Sequence, residues 1–188
     1  MSKNTWLISD THFNHEQMIY FRDWSGNLTR PGFTSLDDMN QYMIDNWNSV
    51  VKSTDVVYHL GDVVFGDDKV KWMENNWNKL NGIKHLIIGN HDDIAMMCGY
   101  QWFKTVQLWK HFKEYNILCT HVPLHYGSLK RPLNADGKTS VENLIWEEAI
   151  NVHGHIHSNP SPDGPYKCVC VEQIGYTPIN IEELANEL

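Results

Sequence analysis

Five short apolar runs in this chain are each cut off by the same few polar residue types, and that punctuation limits the available folds more than any other feature. Trp6-Leu7-Ile8 leads into Asp10-Thr11-His12, Val56-Val57-Tyr58-His59-Leu60 into Gly61-Asp62, and Leu86-Ile87-Ile88 into Gly89-Asn90-His91-Asp92. Ile117-Leu118-Cys119 leads into Thr120-His121, and Ile150-Asn151-Val152 into His153-Gly154-His155-Ile156-His157. Apolar runs this short, bounded by Gly, Asn and Asp, read as strands. Open α/β sheets bind ligands beyond the carboxyl ends of their strands, so residues stationed there are expected to converge on one site.

Between the strands lies helical spacing. From Ser35 onward Leu36, Met39, Met43, Ile44, Trp47, Val50 and Val51 form one apolar stripe, with Ser35 as N-cap and Asp38 as a capping acid. Val70, Met73, Trp77 and Leu80 form a second, stopped by Asn81-Gly82. A third is expected from Ser140 through Val141, Leu144, Ile145 and Ile150, and a short capped helix from Asn180 to Leu188 with Glu183 at the capping-box position. Phe103 to Cys119 lacks such a stripe and reads as paired strands turning near Lys113-Glu114. Alternating strands and helices predict an α/β fold with helices covering the sheet faces. No repeat, low-complexity tract or Pro/Gly linker divides the chain, so residues 1–188 read as a single domain. Two long irregular segments, Phe13–Thr34 and Tyr126–Thr139, exceed ordinary connections and are expected to be functional or mobile.

Composition narrows the chemistry. At 41% hydrophobic with eight Trp, the 188 residues can bury a substantial core. A net charge of −8 argues against non-specific or duplex nucleic-acid binding, which needs a basic surface. Cys98, Cys119, Cys168 and Cys170 include no C-x-x-C pair, and Cys168 and Cys170 stand too close for a relaxed bridge within one strand. The apolar run before Ser9-Asp10 is only three residues, Trp6-Leu7-Ile8, too few for a secretory signal, and no apolar run approaches the roughly 18 residues of a membrane span. A cytoplasmic protein with reduced thiols and no membrane contact is the expectation.

Eleven His is the count that does not suit a bland globular domain. Asp10 and His12 are two apart, as are His155 and His157, so in extended chain each pair would point to one side. Gly61, Gly89 and Gly154 adjoin these residues where a sharp turn or close approach is needed. Carboxylate, imidazole and amide oxygen together suit borderline divalent ions such as Mn²⁺, Fe²⁺ or Zn²⁺. The absence of thiolate from the set argues against a structural zinc site. Asp10, Asp62 and Asn90 also have an ordinary reading as turn residues at strand ends.

The ordered set D-x-H at Asp10/His12, G-D at Gly61/Asp62, G-N-H-D at Gly89–Asp92, a lone His121 and G-H-x-H at Gly154–His157 resembles the calcineurin-like metallophosphoesterases, especially their small bacterial and phage-type members. Tyr58-His59-Leu60-Gly61-Asp62 and Gly175-Tyr176-Thr177-Pro178 strengthen the likeness, which covers nearly the whole chain. The resemblance implies an α/β fold built as a two-layer mixed β-sheet sandwich flanked by helices. It implies two divalent metal ions, Mn²⁺ first, with Fe, Zn, Ni or Mg as alternatives. Asp10, His12, Asp62 and His157 would hold one ion, and Asp62, Asn90, His121 and His155 the other, with Asp62 bridging. A metal-bridging hydroxide would attack phosphorus. His91 would stabilise or protonate the leaving oxygen, and Asp92 would either orient His91 or simply cap a helix or turn. Two such ions against two carboxylates make the centre positive although the chain carries −8.

The reading is a phosphoesterase acting on a small phosphate-ester or nucleotide substrate, with nucleotide-type phosphodiesters favoured because His91 can serve a poor leaving group. The rivals are a phosphomonoesterase of the same mechanism, a metal-storage module, and a non-catalytic interaction scaffold on the same fold; every ligand position being filled disfavours the scaffold. Of the remaining histidines, His15 is a loop contact or a cleft residue, and His59 and His153 are expected to be buried and hydrogen-bonded. His85 and His111 read as ordinary strand residues, and His125 as a candidate substrate contact. Arg22, Arg30, Lys130, Arg131 and Lys138 lie in the long segments, as candidate substrate contacts or as solvated loop charges.

Overall fold

A computed structural model describes residues 3–125, 129 and 149–187, and in it each apolar run becomes a strand. The strands are β1 (Thr5–Ile8), β2 (Val56–His59), β3 (Ile83–Ile87), β4 (Val106–Gln107), β5 (Trp109–Phe112), β6 (Ile117–Thr120), β7 (Ile150–His153), β8 (Tyr166–Cys168) and β9 (Ile179–Asn180). The helices are α1 (Leu36–Val50), α2 (Lys69–Asn76), α3 (Ile94–Gly99) and α4 (Ile181–Glu187).

The strands form two mixed sheets, ordered β4-β3-β2-β1-β9 and β5-β6-β7-β8. β1 to β4 run parallel with β9 antiparallel to β1, whereas β6, β7 and β8 run parallel with β5 antiparallel to β6. The period-two alternation of each strand assigns its two faces. In β1, Trp6 and Ile8 pack with Met39, Met43 and Trp47 of α1, while Leu7 turns the other way, onto Ile117 and Val152 of the second sheet and Val169 just beyond β8. β2 and β3 repeat the split, with Val57 and Leu86 under the helices and Tyr58 and Ile87 between the sheets. The result is the expected two-layer sandwich flanked by helices. Beyond the ends of β1 and β8, Ser9 pairs with Cys170 and stitches the sheets together.

Local signals act as expected in most places. Ser35 caps α1, its hydroxyl accepting from Asp38 N at 3.1 Å, and the stripe of Met39, Met43, Ile44 and Trp47 is buried. α2 tightens into a 3₁₀ turn over Trp77–Lys79 before the chain stops at Asn81-Gly82. β5 and β6 form the hairpin expected before Cys119. At α4 the cap is Asn180, whose Oδ1 accepts from Glu182 N at 2.8 Å. Phe13–Thr34 is less irregular than its composition implies, holding a 3₁₀ turn at Glu16–Ile19 that buries Met18 and Ile19. α3, β8 and β9 are too short to show a period; α3 is fixed by Asp93, whose Oδ1 accepts from Met96 N at 3.0 Å. The expected helix from Ser140, most of Tyr126–Thr139, and Lys130, Arg131 and Lys138 lie outside the described residues. Among the described residues no helix is long and apolar enough to cross a membrane.

Candidate metal centre

The residues that follow β1, β2, β3, β6 and β7 meet at one end of the sandwich. They do not arrive in extended chain, as a two-residue spacing first implies. Asp10, His12, Asp62, His155 and His157 all adopt positive φ, from 45° at His12 to 72° at His155. Each left-handed non-glycine residue costs on the order of 1–2 kcal/mol, so the chain stores strain where the polar side chains converge. Tertiary hydrogen bonds hold the coil: Asp10 N donates to Gly61 O and His12 N to Asp62 O, both at 3.0 Å. Gly61 itself has φ +97°, and a Cβ there would lie 2.6 Å from Gly89 Cα. A Cβ on Gly154 would overlap Ser9 Oγ and the Asp10 carboxylate, so glycine lets the β7 turn close over β1.

Two groups of ligand-type side chains result, Asp10/His12/His157 and Asp62/His121/His155, each with its atoms within 4.8 Å of one another. Asp62 Oδ2 lies 3.5 Å from both His12 Nε2 and His121 Nε2, so it stands between the groups. His12 Nε2 and His157 Nε2 lie 4.0 and 3.8 Å from Asp10 Oδ1. Asn90 Oδ1 is 2.8 Å from both His121 Nε2 and His155 Nδ1.

The donor set fits divalent metal. Among the described residues Asp10 Oδ1 and His12 Nε2 are buried without a hydrogen-bond partner, an arrangement that is costly unless a cation takes them up. The opposite oxygens are anchored: Asp10 Oδ2 accepts from Ser9 Oγ, from Cys170 Sγ at 3.3 Å and from His155 N at 2.8 Å, and Asp62 Oδ1 accepts from His91 N at 2.9 Å. Three imidazoles are oriented in the same sense. His121 Nδ1–H donates to Leu60 O at 2.7 Å, His157 Nδ1–H to Glu172 Oε1 at 3.0 Å, and His12 Nδ1 meets His15 Nδ1 at 3.1 Å. The protons given to Leu60 O and Glu172 leave Nε2 of His121 and of His157 as the atom a cation would take, whereas in the His12–His15 contact either ring can be the donor.

Residues outside the ligand set brace it. Glu172, buried, accepts from Arg30 Nε at 2.7 Å as well as from His157. Arg30 is no substrate contact: it is fully buried, and its remaining nitrogens donate to Asp10 O at 2.6 Å and Thr11 O at 2.9 Å. The one sequence signal for Glu172 is an acid closing the apolar run Cys168-Val169-Cys170-Val171. Asp92 does not orient His91. Its carboxylate accepts from Asp62 N and Val63 N at 3.0 Å and from Gly89 N at 2.8 Å, and so pins the Asp62 turn against the β3 turn. The His91 ring instead lies between His12 and Phe65, with centroids 5.9 and 5.1 Å away. Arg22 bonds Gly26 O within its own loop.

His15 stacks on Phe65 at 4.0 Å, and burial pushes its pKa down to about 4. His59 is buried and hydrogen-bonded as expected, to Thr11 Oγ1 and Gly61 N, and burial lowers it to about 3. His153 is likewise buried, between Gly154 O and Ser161 Oγ. His85 bonds Thr105 Oγ1 and stacks on Tyr58, as a strand residue would. Burial works against charge on Asp62, but His12 and His121 outweigh it and hold the carboxyl well below its usual range. Burial also opposes a charge on His121, yet Asp62 and Asp10 raise it to about 9. Both shifts mark a site that attracts positive charge.

A family model described as calcineurin-like phosphoesterase matches residues 3–178. The chain belongs to that family. It is thus a metal-dependent hydrolase of phosphate esters. It is 31% identical over 187 residues to the uncharacterized protein MJ1445 of Methanocaldococcus jannaschii, covering 96% of this chain and 88% of that one. It is also 31% identical over 174 residues to the Gene 66 protein of Mycobacterium phage L5, covering 82% and 78%. Among solved structures, the protein of unknown function AQ665 from Aquifex aeolicus aligns over 100% of both chains with a TM-score of 0.67 and 27% identity.

Proposed function

We propose that this phosphoesterase works with two divalent ions and prefers nucleotide-type phosphodiesters. Asp10, His12, Asp62 and His157 would hold one ion and Asp62, Asn90, His121 and His155 the other; bound there, divalent metal supplies Lewis-acid stabilisation and an acidified water at neutral pH. The observation that carries this reading is Asp62, whose Oδ2 stands 3.5 Å from a histidine of each group. The chain's own residues do the rest. Glu172 and Leu60 O fix the tautomers of His157 and His121, Asp92 fixes the Asp62 turn, and exposed His91 is the residue able to pass a proton to the departing oxygen. Mn²⁺ is the first ion to try, because the oxygen-and-imidazole set without thiolate suits it.

The test is hydrolysis of aryl phosphate mono- and diesters with added Mn²⁺, read beside metal content by elemental analysis. His91→Ala is expected to keep both ions and lose about 10²–10⁴ in kcat. Asp62→Ala is expected to lose metal and turnover together. Full turnover by either variant would remove the residue from the centre, and inactivity of the wild type under every divalent ion would end the two-ion reading.

A further inference from the structure

Two recesses flank the clustered ligands, one beside each group. The first, about 370 Å³, is walled by Leu108, Trp109, Val122 and Leu124 and closed on the metal side by Asn90 and His121. The second, about 240 Å³, is bordered by Phe65, Asp67, Lys69 and His91. The first falls in the size range of small-molecule sites, and the fold explains its place. Leu108 is the single residue between β4 and β5, where the chain crosses from one sheet to the other, and Val122 directly follows His121. The recess therefore opens at the seam of the sandwich, at the ends of ligand-bearing strands.

Its chemistry is distinctive. Leu108 is 71% exposed, Val122 44% and Trp109 43%, so large apolar side chains stand in solvent at the rim of a charged centre. Among the described residues no charged side chain lines it apart from His121, and Thr120, whose hydroxyl donates to Val122 O, is already occupied. A sugar or second phosphate placed there would lose hydration without gaining partners, whereas an aryl or nucleobase face would cover the exposed carbon. The second recess differs in carrying Lys69 and Asp67 next to His91.

We propose that the substrate is a phosphodiester whose apolar, planar ester group seats against Trp109 and Val122, while its other, polar alcohol lies by His91 and Lys69. This deepens the phosphoesterase reading and rests on it. A monoester has one organic group, and a diester has one for each recess. On hydrolysis a P–O bond from water forms, the P–O bond to the alcohol by His91 breaks, His91 gives its proton to that oxygen, and the proton shed by water restores His91.

The experiment uses the full chain with Mn²⁺ and diesters that share a glyceryl leaving group while the second group is methyl, phenyl or 1-naphthyl, with release of glycerol as the readout. kcat/KM is expected to rise about tenfold or more from methyl to naphthyl, the scale on which apolar pockets discriminate. Leu108→Asp and Val122→Asp are expected to flatten that ratio. An unchanged ratio in both variants, or faster turnover of glycerol phosphate than of every diester, overturns the proposal. A second measurement does not depend on turnover: neutral 1-naphthol added to chelator-treated protein should shift the NMR methyl signals of Leu108, Val122 and Leu124, and methanol should not. Should no ester be hydrolysed under any divalent ion, the phosphoesterase reading fails, and these shifts still decide the recess. Their absence overturns it.

Discussion

Replacing Glu172 by Gln probes the scaffold behind the metal ligands. Glu172 and Arg30 have side chains 2% and 0% exposed and meet at 2.7 Å, so solvent screens their attraction little. Arg30 is tied by its other nitrogens to Asp10 O and Thr11 O and cannot swing out to water. Gln keeps the shape and one acceptor oxygen but leaves the buried guanidinium without a counter-charge. Breaking a buried pair from one side costs about 3–5 kcal/mol. At about 2–4 °C per kcal/mol for a chain of this size, melting should fall by about 10 °C. The same substitution weakens the acceptor for His157 Nδ1–H, and loss of such a histidine partner typically lowers metal affinity about 10–100-fold. Urea unfolding in chelator isolates the first effect, read as a lower midpoint at constant slope, and calorimetric titration with Mn²⁺ reads the second. A loss below about 1 kcal/mol, as for a surface pair, with unchanged Mn²⁺ affinity would refute the claim that this pair braces the centre.

Gly154→Ala should cost about 1–3 kcal/mol and weaken metal binding, because its Cβ overlaps Ser9 Oγ and Asp10 Oδ2; Gly99→Ala, with nothing within 4 Å, should be neutral or slightly stabilising in the same thermal melts. Acid should destabilise the metal-free protein through His59. Its folded pKa of about 3 lies below the 6.5 of the unfolded group, so the unfolded chain binds the extra proton between those values and stability falls as pH drops through that window. The slope approaches about 1.4 kcal/mol per pH unit, and His15, lowered to about 4, adds to it. His59→Gln should unfold more readily at pH 7 yet show a shallower acid slope, and parallel slopes would assign the acid sensitivity elsewhere.

The family and the seven candidate ligands were legible because each ligand follows a strand whose apolar run stands out locally: Ile8 before Asp10, Leu60 before Asp62, Cys119 before His121. Helix α1 was legible for a related reason, since Ser35 and the stripe from Leu36 to Val50 carry both cap and period within one stretch of chain. What was not legible depends on residues far apart. Glu172 looks like any acid until the fold carries it 142 positions back to Arg30. Asp92 reads equally as a partner for its neighbour His91 or as a turn cap, and only tertiary packing decides for the cap and shows that the turn it holds is the distant one at Asp62. Even the D-x-H spacing misleads when taken as extended chain, because the positive φ of Asp10 and His12 is imposed by hydrogen bonds to Gly61 and Asp62.

The amino-acid sequence by itself therefore determined the chemistry, which residue types stand at which strand ends, since strand period and turn residues are local properties. The tertiary structure decided the geometry. It set the left-handed coils that aim the ligands, the imidazole tautomers fixed by Leu60 O and Glu172, and the apolar recess at the seam between β4 and β5. These arise from contacts between segments that the chain brings together only on folding, and no local pattern encodes them.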